Sequence, residues 1–328
     1  MNSPWRVILT VLAFEATCKV SAQTSGSADE IWKALMTFGQ PSASANFVDQ
    51  ANELRAFYTQ YPTHPYVGEA KRREILALSR AALAGVIDHD QRRLSLLQDV
   101  RADTSLPDYR RFEAVAMSLQ VGVHRSQHAN RTAFLTAQEN LTKTLVDEFP
   151  NVQDGYESLV AIARESQPNS GTRIATSVAD SPNASADLRA EARIVIERFA
   201  LLGTPIRPLF EGSEVVVLLG QSASKPLVIY TWTKSTPQAL AAISKLRRIQ
   251  PNVSLIGVCL DYDVQGAREA ASTASLPGLQ YYDARGNDSP LAKALKVGRG
   301  LIIYVVDRNG VLRDVQGRTD LNHKLSLL

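Results

Sequence analysis

The sequence predicts two architectures in one chain: an all-α region of helical hairpins, arranged as a solenoid or a bundle, followed by an α/β domain whose mixed sheet is covered by helices. Three observations carry that expectation. Between residues 29 and 203 apolar side chains recur at the three- and four-residue spacing of a helix face. Beyond residue 204 short continuous apolar runs alternate with helix-prone segments, the pattern of strands buried on both faces of a sheet. Near the C-terminus an Asn-Gly pair separates two apolar runs, as in a β-hairpin.

In the helical region Leu54, Phe57, Tyr58 and Tyr61 share one face, as do Ile75, Leu78 and Ala82 and, later, Leu141, Leu145 and Phe149. Four steps look alike: Tyr61-Pro62, Leu106-Pro107, Phe149-Pro150 and Ser181-Pro182. Each ends a helix, because the residue before proline is pushed out of the helical region, and another helix follows within a few residues. Such units bury their apolar faces only against neighbours, so a solenoid of hairpins and a plain bundle both fit.

The α/β domain is expected to begin with a lead-in strand at 209–218. Residues 227–230 form a buried strand after Lys225-Pro226. Thr236 and Pro237 then open a helix with Leu240, Ile243 and Leu246 inward and Lys245, Arg247 and Arg248 near its end, where cations complement the dipole. Residues 253–260 make a second strand closed by Asp261, 264–274 an Ala-rich helix, 279–282 a third strand, 290–296 a short helix and 301–306 a fourth strand. The Asp307-Arg308-Asn309-Gly310 turn returns the chain through 311–315, and a last short helix is expected at 320–327.

At 328 residues, 45% hydrophobic and 21% charged, the chain is large enough for two ordinary cores. A net charge of +3 is too small for a nucleic-acid footprint, and the arginines, scattered along helices, are expected as solvated faces. No apolar run is long enough to span a bilayer. Residues 1–22, with Arg6, an apolar core at 7–14 interrupted early by Glu15, and Val20-Ser21-Ala22 before Gln23, read as a secretory signal. That predicts an exported protein, periplasmic or envelope-associated, with a mobile start at 23–28 and domains at 29–203 and 204–328.

Four pieces of the C-terminal domain, in order, carry a resemblance. They are the lead-in at 209–218, the strand-turn-helix at 227–248, the strand Ile256-Gly257-Val258-Cys259-Leu260-Asp261 and the hairpin Tyr304-Val305-Val306-Asp307-Arg308-Asn309-Gly310. Together they resemble the redoxin branch of the thioredoxin superfamily, the exported TlpA and AhpC/TSA-like proteins. The resemblance implies a thioredoxin-like fold and, in the family, thiol-disulfide oxidoreductase or peroxidase activity. It also locates a departure. Family members read Phe-Trp-Ala-Thr-Trp-Cys-Gly-Pro-Cys where this chain runs from Tyr230 to Gln238, so Ser235 and Gln238 take the two cysteine positions while Pro237 is kept. A cis-proline usually faces those cysteines, and Leu301 stands in its place after Gly298-Arg299-Gly300.

Thiol chemistry needs a low-pKa thiolate and a resolving sulfur, which serine and glutamine do not provide. The resemblance with its departure therefore implies a degenerate site without catalytic residues, in a redox-inactive protein that binds a protein or peptide partner in the envelope. The candidate binding residues are Trp232, Lys234, Ser235, Thr236, Pro237, Gln238, Gly300 and Leu301, with Trp232 and Tyr230 offering apolar contact if exposed. The competing expectation is an oxidoreductase or peroxidase that works through Cys259 or another nucleophile.

The remaining features point away from other chemistry. Cys18 falls in the signal segment, and Cys259, mid-strand, fits a sheet core. Lys234-Ser235-Thr236 lacks the glycines with which a phosphate loop cradles nucleotides, so no nucleotide or other cofactor is expected. His124 and His128 stand four apart on a possible helix, without a third ligand, so no metal is expected. Asp261 and Asp263 are expected as turn caps in preference to metal ligands. Ser235 as a hydrolytic nucleophile lacks a base, since His323 is the only histidine of the domain.

Overall fold

The structure is a computed structural model that describes residues 27–37, 44–126, 128–210, 225–244, 253–298 and 301–316. The signal segment at 1–22, most of the lead-in at 209–218, Lys245, Leu246, Arg247, Arg248, Arg299, Gly300 and the helix expected at 320–327 lie outside them. The chain falls into two compact units, Met1–Ile162 and Ala163–Leu328. The secondary structure changes from helical to mixed after residue 203, but the second unit begins earlier and includes helices.

The first unit holds α1 (Ala28–Thr37), α2 (Ser44–Gln60), α3 (Val67–Leu83), α4 (Asp90–Ala102), α5 (Asp108–Arg125) and α6 (Arg131–Glu148), and α7 (Gln153–Glu165) begins in it. The four X-Pro steps named above fall between helices as expected. Ile75, Leu78, Leu97, Val100, Phe112, Val115, Leu145 and Phe149 meet in one core, and Trp32, Leu35, Leu54 and Phe57 in a second. Asn130 caps α6, its side chain accepting from Ala133 N at 3.0 Å.

Two expectations fail in this unit. The arginines are not uniformly solvated: Arg72 and Arg93 are 7% and 4% exposed. Arg72 donates from Nε and Nη2 to the two oxygens of buried Glu69, at 2.8 and 2.7 Å, and from Nη1 to Glu113. Arg93 reaches the backbone oxygen of Ser118 at 2.6 Å. Each long side chain leaves one helix and lands on another helix or an adjacent turn of its own, which spacing along one helix does not reveal. The second failure is the histidine pair. Helix α5 ends at Arg125, and Ser126 is extended (φ −63°, ψ 132°), so His124 and His128 are not on one helix. His128 Nε2 instead lies 2.8 Å from Val123 O, and both imidazoles pack on Phe134.

The second unit pairs α8 (Pro168–Ala179) and α9 (Ala186–Phe199) with a five-stranded sheet. In chain order the rest is β1 (Leu227–Trp232), α10 (Pro237–Ser244), β2 (Ser254–Cys259), α11 (Val264–Thr273), β3 (Leu279–Tyr281), α12 (Pro290–Ala294), β4 (Ile303–Val306) and β5 (Leu312–Asp314). Leu209, expected to start a strand, lies in a 3-10 turn, Arg207–Phe210. The sheet order is β3-β2-β1-β4-β5, with β1 parallel to β2 and antiparallel to β4. Every residue of β1 is buried, as its continuous apolar run requires. Arg198 joins α9 to the sheet region through Lys296 O (3.0 Å), and Gln316 Nε2 donates to Ser166 O (2.7 Å).

The closing hairpin is looser than a two-residue turn. Of its four turn residues only Gly310 has positive φ (76°). Gly310 N donates to Asp307 O (3.0 Å), while the Asp307 carboxylate accepts from Asn309 N and Val311 N at 2.8 and 2.9 Å. Farther along the hairpin a second irregularity, a register shift between Val305 and Val306, leaves Arg313 as the extra residue of a bulge in β5.

Candidate functional site

The turn between β1 and α10 lies at the C-terminal end of a central parallel strand, where open α/β sheets place their sites. Thr231 fixes its base: its N donates to Ile302 O and its Oγ1 accepts from Ile302 N, both at 3.0 Å. That pair brings the Leu301 segment beside the turn, so two sequence-predicted pieces 70 residues apart converge. Leu301 itself is half-buried against the core.

The turn residues are tied down by oxygen chemistry. Lys234 N donates to Asp261 Oδ2 at 2.7 Å, and Lys234 Nζ pairs with Asp263. That contact raises the Lys234 pKa and lowers that of Asp263. Asp263 also caps α11 through Gly266 N (3.0 Å), so both aspartates serve the turns. Thr233 Oγ1 lies 3.0 Å from Ser235 Oγ and 3.2 Å from Thr236 Oγ1. Lys234, Ser235 and Thr236 are exposed. Pro237 and Gln238 start α10, but their side chains lie outside the described positions. Among the described residues no group of three or more His, Cys, Asp or Glu is placed to hold a metal ion.

Trp232 does not belong to the accessible surface. It is 2% exposed and Tyr230 is fully buried, because both point from the central strand into the core beneath α10 and α11. The apolar contact expected of them is thus not available to a partner. Cys259 ends β2 opposite Trp232 on the same face, 2% exposed. Burial pushes its thiol up to about 12, and the nearby Asp261 carboxylate adds to the rise. A thiol held that high is protonated at neutral pH, the opposite of a reactive cysteine.

One organising residue was not singled out from sequence. Tyr230, Gly257 and Gln280 are neighbours across β1, β2 and β3. The Gln280 side chain crosses Gly257: Nε2 donates to Tyr230 Oη (2.7 Å) and Pro277 O (3.0 Å), and Oε1 accepts from Trp232 Nε1 (3.0 Å). Tyr230 Oη donates to Pro277 O at 2.5 Å. A Cβ on residue 257 would come within 2.0 Å of Gln280 Oε1, so only glycine leaves the crossing open. The isolated glycine in an apolar run was the available signal.

No protein-family model and no curated protein sequence matches this chain. Solved structures do show likeness to part of it. The C-terminal domain of a proposed thiol-disulfide oxidoreductase from Bacteroides thetaiotaomicron is 23% identical over 32% of this chain and 77% of its own, with a TM-score of 0.30. A thioredoxin-like protein from Parabacteroides distasonis is 14% identical over 32% and 79%, with a TM-score of 0.27. A proposed thiol-disulfide oxidoreductase from Bacteroides vulgatus is 16% identical over 29% and 64%, with a TM-score of 0.24. Independently of these, the sheet stands for itself: a parallel β1-α10-β2 unit beside an antiparallel β4-β5 hairpin, with β1 central, is a thioredoxin-like fold.

Proposed function

We propose that this chain is an exported protein whose thioredoxin-like domain, of the redoxin kind, lacks thiol-disulfide activity and acts as a binding or scaffold module for a protein or peptide of the cell envelope. The observation that carries this reading is the state of the sulfur positions. Serine and glutamine stand at 235 and 238, and Cys259 is buried with its pKa pushed up to about 12. The partner surface in this reading is the exposed Lys234-Ser235-Thr236 turn with Leu301 beside it. Its hydroxyls and the α10 N-terminus offer hydrogen bonds to an extended chain.

The test is insulin reduction and peroxide turnover by the full chain. No rate above the blank is expected, and turnover abolished by Cys259→Ser would overturn the proposal. Export is checked separately by N-terminal sequencing of protein from an envelope extract. Gln23 is the expected first residue, whereas an intact Met1 in the cytosolic fraction contradicts export.

A further inference from the structure

A second feature of the same unit lies away from the turn and does not depend on how the turn is read. Between α11 and β3 a groove of about 550 Å³ is lined by Arg268, Ala271, Ser272, Ser275, Leu276, Gln280 and Tyr282. That volume suits a small organic ligand. Its polar rim is unspent: among the described residues the Arg268 guanidinium and the Ser272 and Ser275 hydroxyls make no hydrogen bond or ion pair. Arg268 lies over the Tyr282 ring, 5.2 Å from guanidinium carbon to centroid. Glu269, the adjacent carboxylate, accepts instead from Gln265 Nε2 at 2.9 Å. The inner wall is apolar, made by buried Ala271, half-buried Leu276 and the Tyr282 ring.

We propose that this groove binds a small ligand bearing a carboxylate on an apolar body, with Arg268 as the anion-binding residue. The Tyr282 ring holds the exposed guanidinium at the groove, and such a fork matches a carboxylate with two parallel hydrogen bonds. The serine hydroxyls are free to donate to the same anion, while the apolar body lies on Ala271, Leu276 and Tyr282. The far wall connects to the core: Tyr282 meets Trp232 edge to face at 6.0 Å, and Gln280 accepts the Trp232 indole hydrogen bond. Occupation is therefore reported by a buried indole that does not touch the ligand.

N-acetyl-phenylalanine serves as the probe and its uncharged amide as the control, titrated into the full chain with calorimetry and indole N–H resonances as readouts. The sequence contains Trp5, Trp32 and Trp232, so Trp232→Phe assigns the relevant peak. The expected result is a saturable shift of the Trp232 indole, with the amide control and Arg268→Gln each binding about 10-fold more weakly or worse. Ser272→Ala should weaken binding about 3-fold. Arg268 and Ser272 are exposed, so these variants fold. No saturable shift, equal binding of acid and amide, or undiminished binding by Arg268→Gln would each overturn the proposal.

Discussion

The two units bury polarity in different ways. In the helical unit Glu69, Arg72, Glu74 and Arg93 are all less than a tenth exposed, and each is paired with opposite charge on its own helix or a neighbouring one. Glu69 alone receives Arg72, Arg73 and Arg110. Beneath α10 and α11 the sheet unit buries a phenol, an indole and a thiol, and Gln280 satisfies the first two without any charge. Ionised groups pay a large desolvation cost and hold their place only while every partner remains, whereas a neutral network loses one hydrogen bond at a time. The helical unit, with the denser charged network, should therefore respond more strongly to charge and pH, although the sheet unit also holds buried Asp307, whose pKa burial would raise but backbone N–H groups and Arg313 lower.

Removing one partner from the helical network gives the largest effect. Arg72→Met leaves Glu69 without its two-point donor and should cost about 3–5 kcal/mol, read from denaturant midpoints of the helical signal. A loss below about 1 kcal/mol would erase the contrast between the units.

Acid should act next. Burial would raise the Glu69 pKa, but hydrogen bonds from Arg72, Arg73 and Arg110 outweigh it and hold the carboxyl at about 2. A carboxyl held below its unfolded value stabilises the fold above the ordinary carboxylate range. On the order of 3 kcal/mol is then lost as pH falls from about 5 toward 2. Glu74 acts in the opposite sense, since burial raises its pKa and its contribution weakens as pH rises. Circular dichroism of wild type and Glu69→Gln across that window checks the sign, because the variant should lose the acid-dependent step.

In the sheet unit Gln280→Leu leaves the Trp232 indole N–H buried without an acceptor, at a cost of about 1–3 kcal/mol. That loss should be independent of pH between about 4 and 8, since none of the groups it disturbs titrates there. The smallest effect has the opposite direction. Lys296 follows α12 at φ 53°, a left-handed position that favours glycine, so Lys296→Gly should raise stability by up to about 1 kcal/mol in a thermal melt.

Much of the sheet unit was legible because strands buried on both faces declare themselves as continuous apolar runs, as at 227–230 and 301–306. The place of the turn between β1 and α10 was legible for a related reason: it follows directly on such a run, and Pro237 opens the helix after it. Trp232 was misplaced because a residue at the mouth of a turn can point outward or inward, and only the helices laid over β1 decide which. The paired histidines misled because the helix stops at Arg125, one residue after the first of them.

By itself the sequence determined the order of elements, the four X-Pro helix ends and the absence of cysteine from positions 235 and 238, since these follow from local sterics and residue identity. Tertiary structure alone decided which charges are buried, that Trp232 turns into the core opposite Cys259, and that Gln280 reaches Tyr230 over Gly257. Those outcomes depend on which side chains meet across separate elements, where solvent exclusion and the space left by a missing Cβ set the energy.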